Sequence, residues 1–138
     1  MDTIPEGFVP HTRHSPLTAP WEPILSRNDD HAVRLGLRVR EAHCNSRGFA
    51  HGGLVSALAD NAMGLSAVAT ARAGGADPSS RAVTVSLVLD FIGSAQIAQW
   101  LEFRPVVLRH GRTLAFTECH VFADDQLVAR ASATFRLG

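Results

Sequence analysis

The feature that most constrains this chain is an apolar run of 18 residues, Leu54 to Ala71, reading LVSALADNAMGLSAVATA. Leu54, Leu58, Ala62 and Leu65 fall on one side of a helix, and Val55, Ala59 and Met63 on another. A helix that is apolar all round is buried all round. The run approaches a membrane-spanning length. Asp60 and Asn61 stand in its middle, however, and a central Asp in a bilayer costs about 2.5–3.5 kcal/mol. The expectation is a core helix of a soluble domain with no membrane partner.

What surrounds that helix follows from patterning. Val33, Leu35, Leu37 and Val39 alternate with Arg34, Gly36, Arg38 and Arg40, which is a half-buried strand. After the helix, Gly74-Gly75 and Pro78 stop the run. Four strand-like segments follow: Ala82 to Phe91, Trp100 to Arg109, Thr113 to Phe122 and Leu127 to Arg136. In the first, Val83, Val85, Leu87, Leu89 and Phe91 share one face, and Thr84, Ser86, Val88 and Asp90 the other. Pro105 marks an edge or a bulge in the second. Short links imply antiparallel pairing. The order is strand, helix, four strands: an α+β domain with one helix on an antiparallel five-stranded sheet. One such sheet covers one face of the helix, so the sheet curls round it or a second copy covers the rest.

The 138 residues suit one domain, residues 1–138. Residues 1–31 carry five of the seven prolines and read as an irregular, partly helical lead-in to a 32–138 core. Thirteen cationic and 13 acidic side chains cancel. That balance argues against a nucleic-acid partner, whose phosphates call for a surplus of cations. The first ten residues show no leader pattern. Cys44 and Cys119 are too few for a disulfide framework and suit a reducing, cytoplasmic setting. The seven histidines lack ligand spacing, so neither a metal nor a cofactor is expected.

The chemistry concentrates in Asn45 to Asp60, NSRGFAHGGLVSALAD. Gly52-Gly53 opens the helix, where unpaired amides and the positive end of the dipole meet. That is a site for an anion or a developing oxyanion, or simply a tight turn. Asp60 sits in a helix that must be buried, and a buried carboxylate needs a partner or a purpose. Its stripe of Ala57, Gly64, Ala67 and Ala71 is small, so the Asp faces a gap or a close backbone. Gly52 and Asp60 are about 12 Å apart along one axis. A two-fold dimer with adjacent antiparallel helices would bring each Asp near the other chain's helix start.

Asn45, Gly48, His51-Gly52-Gly53 and Leu58-Ala59-Asp60 together resemble the hotdog-fold acyl-CoA thioesterases of the PaaI-like (phenylacetyl-CoA thioesterase) type. Val83-Thr84-Val85-Ser86, Asp90-Phe91-Ile92, Arg109-His110-Gly111-Arg112 and Ala133-Thr134-Phe135 agree with it. The resemblance spans roughly residues 33–136. It implies a hotdog fold, a curved sheet wrapped round one central helix, and hydrolysis of an acyl-CoA by a homodimer or dimer of dimers with sites at the interface. Under it Asp60 is the base or nucleophile, Gly52 the amide donor to the thioester carbonyl, and Asn45 an orienting side chain. His51 positions the helix entry, and Thr84 helps hold the attacking water. Gly53 and Phe91 border the substrate, and Arg109 and Arg112 are candidates for the coenzyme A phosphates, with Arg72 and Arg81 as rivals. Gly93-Ser94-Ala95 and Val88 depart from the commoner family pattern. A hotdog hydratase or dehydratase, or a non-catalytic acyl-CoA-binding module, are the alternatives.

Overall fold

The structure, a computed structural model, describes residues 3–138. Its elements are β1 (Val9–Pro10), β2 (Leu25–Asp29), β3 (Ala32–Arg38), α1 (Gly52–Ala73), β4 (Ala82–Phe91), β5 (Trp100–His110), β6 (Leu114–Ala123) and β7 (Gln126–Leu137). Short 3-10 turns lie at Ala19–Trp21 and Glu41–His43. The strands form one antiparallel sheet in the order β1-β2-β3-β5-β6-β7-β4. The sheet curls over α1, whose Leu54, Leu58, Ala62 and Met63 pack in one cluster with Leu37, Leu101, Phe103, Val121 and Phe135. Each large side chain so buried contributes about 1.5–3 kcal/mol. This is the hotdog arrangement that the motif residues imply.

Three expectations need correction. The sheet has seven strands, because the lead-in adds two at the β3 edge. Asp30 and His31 take positive φ (49° and 75°) and close a tight β2–β3 hairpin, as Asp124 and Asp125 (46° and 68°) close β6–β7. The first turn escapes a sequence reading because its strand, LSRND, lacks alternation. Phe8 joins Leu25 and Trp100 in a second small core on the outer face of the sheet. Trp100 lies so close over Gly36 that any Cβ there would stand 2.3 Å from its ring.

The second correction concerns α1, which is not covered all round by its own chain. Asn61 is exposed, and Leu65, Val68 and Ala69 are half-buried along the side away from β3 and β5–β7. The helix is long and apolar enough to cross a membrane by length and composition alone, but half of it is packed beneath the sheet.

The third concerns β4. A register shift between Thr84 and Ser86 against β7 breaks the simple alternation. Directly opposed residues share a face, so Thr84 opposite Phe135, Leu87 opposite Ala133 and Phe91 opposite Ala129 all face inward. The bulge thus moves Thr84 onto the face that carries Leu87 and Phe91. Pro105 stands just past the last β3–β5 pair, Leu35 with Phe103. The Val33 N–H turns instead to Ser66 Oγ of α1 (2.9 Å).

Candidate active site

The loop before α1 is built round one side chain. Asn45 Oδ1 accepts from the Arg47 N–H (2.9 Å) and the Phe49 N–H (3.2 Å). Gly48, at φ +82°, lets the chain turn back so that the Asn45 N–H meets the Phe49 carbonyl at 2.8 Å. The carbonyl end of Asn45 is consumed by the loop, which leaves its Nδ2 hydrogens as the donors available to a ligand. His43, 2% exposed, anchors the loop. Its Nδ1 accepts from the Arg40 N–H (3.0 Å), its Nε2 donates to the Trp21 carbonyl (2.9 Å), and its own carbonyl takes the His51 N–H. Burial pushes the His43 pKa below its ordinary value, in keeping with this neutral tautomer.

His51 is the N-cap of α1. Its Nδ1 accepts from the Gly53 N–H at 2.8 Å and its carbonyl takes the Val55 N–H. Of the first-turn amides, that leaves Gly52 and Leu54 outside the helical ladder. Leu54 is buried in the core, whereas Gly52 lines a cavity of about 220 Å³ with Asn45, Arg47, Phe91, Ser94 and Val128. The Phe91 ring covers Gly52, 3.4 Å from where a Cβ would sit. Asn45, Gly52 and Phe91 are therefore one place, with an uncapped N–H at the positive end of a 22-residue helix.

Asp60 lies two turns along α1 and faces elsewhere. It is half-buried, not enclosed as a wholly buried helix would require, and accepts a hydrogen bond from Thr84 Oγ1 at 2.7 Å. The small Gly64 on its stripe makes room for the Phe135 ring, 3.2 Å from where a Cβ would stand. Asp60 borders a larger groove of about 800 Å³, walled by α1, residues 78–82 and the lead-in at 11–15. Within one chain the Gly52 amide and the Asp60 carboxylate thus open into different spaces.

Arg109 and Arg112 are exposed on the β5–β6 turn. That turn adjoins the far end of α1, where His110 lies 3.4 Å from the Cβ position of Gly74. Neither arginine borders the Gly52 cavity or the Asp60 groove, whereas Arg72 and Arg81 line the groove. Sequence reasoning missed Arg47, although it stands inside the informative stretch. It also missed the His11–Ser15 wall, which carries no periodic signal. Trp21 packs against the main core. Burial raises the pKa of both thiols, Cys119 to about 12, so neither is an activated nucleophile. Among the described residues no cluster of His, Cys, Asp and Glu could hold a metal.

Comparison with known proteins gives this geometry a setting. Residues 47–130 match the family model of the thioesterase superfamily. A Pseudomonas aeruginosa protein named provisionally as an esterase is 41% identical over 138 residues, 99% of each chain. Human acyl-coenzyme A thioesterase 13 is 30% identical over 104 residues, 74% of this chain and 70% of the human protein. Among solved structures, a variant of phenylacetic acid degradation protein PaaI from Thermus thermophilus superposes with a TM-score of 0.74 at 24% identity, covering 88% of this chain and 98% of its own. The Streptococcus mutans protein smu.793, bound to acetyl-CoA, gives 0.74 at 24% identity, with 86% and 90% covered.

Proposed function

Since the chain belongs to the thioesterase superfamily, we propose that it is an acyl-CoA thioesterase in which Asp60 activates the water that attacks the thioester carbon. The observation that carries the reading is the Asp60–Thr84 hydrogen bond beside an open groove. A carboxylate so held can take a proton from water while the Thr84 hydroxyl fixes its orientation. The oxyanion that forms needs a donor, and the Gly52 N–H with the Asn45 amide supplies one. Attack by Asp60 itself, through an anhydride, uses the same groups. The similarity to human acyl-coenzyme A thioesterase 13 and the acetyl-CoA bound in the Streptococcus structure support coenzyme A thioesters as the substrate class.

The two halves of this chemistry meet across a dimer. β4 forms one edge of the sheet and, among the described residues, pairs only with β7. It exposes Val83 (64%), Val85 (61%), Val88 (58%) and Phe91 (55%). A ten-residue apolar edge invites pairing with another strand. Two β4 strands related by a two-fold axis would continue the sheet and bring the uncovered sides of two α1 helices together. Asp60 of one protomer would then face Gly52 of the partner subunit. Further apolar residues on the outer face, Val106 and Phe116 among them, are consistent with a dimer of dimers. The reading also assigns the protein to the cytoplasm, where Cys44 and Cys119 remain free thiols.

The test is thiol release from short, long and aryl acyl-CoAs. The wild type hydrolyses at least one, Asp60→Asn loses the reaction while keeping the fold, and Asn45→Ala loses most of it. Mixing and re-associating these two variants restores part of the activity if sites are shared between protomers. No recovery in re-associated dimers would count against shared sites.

A further inference from the structure

His43 is the one histidine among the described residues that is buried, and the proposed reaction gives it no step. A titratable ring enclosed so deeply must have its hydrogen bonds met inside the protein. Both nitrogens are met, but the two bonds differ in reach. Nδ1 accepts from the Arg40 N–H three residues back, which closes the Glu41–His43 turn on itself. Nε2 donates to the Trp21 carbonyl, 22 residues away, which ties that turn to the lead-in.

Sheet register brings the two segments together. β2 pairs antiparallel with β3, Leu25 opposite Gly36. The Ala19–Trp21 turn before β2 therefore lies against the Glu41–His43 turn after β3. Arg40 fastens the same place from outside: its Nη2 donates to the Pro20 carbonyl (3.1 Å) and the Glu22 carbonyl (2.7 Å). Three successive carbonyls, those of Pro20, Trp21 and Glu22, are thus held by Arg40 and His43. Trp21 in turn packs against the main core. On its other side His43 meets the oxyanion end. Its carbonyl accepts the His51 N–H at 2.9 Å, and His51 Nδ1 accepts the Gly53 N–H at 2.8 Å. The Gly52 N–H lies between these two fixed points, and Asn45 stands two residues beyond His43.

We propose that His43 is a positioning residue for the oxyanion donors: it joins the Ala19–Trp21 turn to the loop from Asn45 to Gly52, so that the lead-in holds the Gly52 N–H and the Asn45 amide in line with the thioester carbonyl. This rests on the thioesterase reading and deepens it, because it extends the catalytic apparatus outside residues 47–130 that the family model matches. Donor alignment is sensitive to displacement, and a shift of about 1 Å costs on the order of 10²-fold in rate. A bond that only stabilises the fold leaves kcat alone.

The experiment separates the two ring nitrogens. In His43→Gln the side-chain amide nitrogen reaches the place of Nε2 and still donates to the Trp21 carbonyl. In His43→Asn the side-chain oxygen takes the place of Nδ1 and keeps only the Arg40 bond. kcat and KM are measured on the acyl-CoA, short, long or aryl, that the wild type hydrolyses fastest, with fold checked by circular dichroism. The expected result is a kcat at least tenfold lower in His43→Asn with KM within threefold, and a kcat in His43→Gln within threefold of the wild type. A smaller loss in His43→Asn, an equal loss in both variants, or a loss confined to KM overturns the proposal. Arg40→Ala decides the case in which His43→Asn does not fold, because Arg40 is exposed and its loss frees the Pro20 and Glu22 carbonyls. A kcat at least threefold lower at unchanged KM then supports the proposal, and an unchanged kcat overturns it. Amide hydrogen exchange keeps this test apart from the thioesterase reading. If the wild type hydrolyses no acyl-CoA, that reading falls. A His51 N–H that exchanges at least tenfold faster in His43→Asn than in His43→Gln then keeps the clamp on the loop, and equal exchange removes it as well.

Discussion

The Gly52 cavity and the Asp60 groove are built on different plans. The Gly52 end is finished by its own chain. His51 caps Gly53, Asn45 is locked by two backbone donors, Phe91 roofs Gly52, and His43 pins the loop from behind. The Asp60 end is left open: a half-buried carboxylate, one hydroxyl partner, and a groove where the sheet stops covering the helix. A donor that must meet an oxyanion gains from rigidity, because its dipole is then aligned before charge develops. In the proposed reaction the base must hold a water and admit an acyl group, so it needs space, which a second protomer would close.

Substitutions can break or sharpen this contrast. The largest effect is expected at the open end: Asp60→Asn should lower kcat by 10²–10⁴-fold, on the scale of a lost general base, with little change in thermal midpoint. At the closed end, Gly52→Val forces Phe91 aside and crowds the amide. The expected loss in kcat is about 10²–10³-fold, as for one lost oxyanion donor, this time with lowered stability. Thr84→Val should cost roughly tenfold in kcat by freeing the Asp60 carboxylate to turn, in line with a charge-assisted hydrogen bond; an unchanged kcat would remove Thr84 from the site. His51→Ala should cost about 1 kcal/mol of stability, the usual value of an N-cap, read from denaturant unfolding.

The smallest expected effect is one of pH. Burial lowers the pKa of His43 in the folded state. The unfolded chain therefore binds the proton more readily, and stability is lost as pH falls below 6.5 through the folded value. His11, also lowered by burial, contributes with the same sign. Urea midpoints at pH 7.5 and 5.5 should show the drop, reduced in His43→Gln.

Much of the fold was legible because it obeys local periodicities. The apolar run located α1, and alternation gave β4 its bounds Ala82–Phe91. Gly52 and Asp60 stand out in the sequence because helix-start glycines and a carboxylate in an apolar helix each demand a reason, whereas Asn45 enters only through the family resemblance. The lead-in strands were not legible, since β1 and β2 gain their order from pairing with β3 and from Phe8 meeting Trp100. Alternation put Thr84 on the face opposite Phe91; one extra residue in β4 put them on the same face.

The amino-acid sequence by itself determined the central helix, the carboxylate within it and the glycine start that precedes it, because these follow from spacing and from the cost of burying charge. Only the tertiary structure decided which side of α1 stays uncovered, that Thr84 reaches Asp60, and that Trp21 meets His43. These depend on sheet register and on strands far apart in the chain, and no local pattern encodes either.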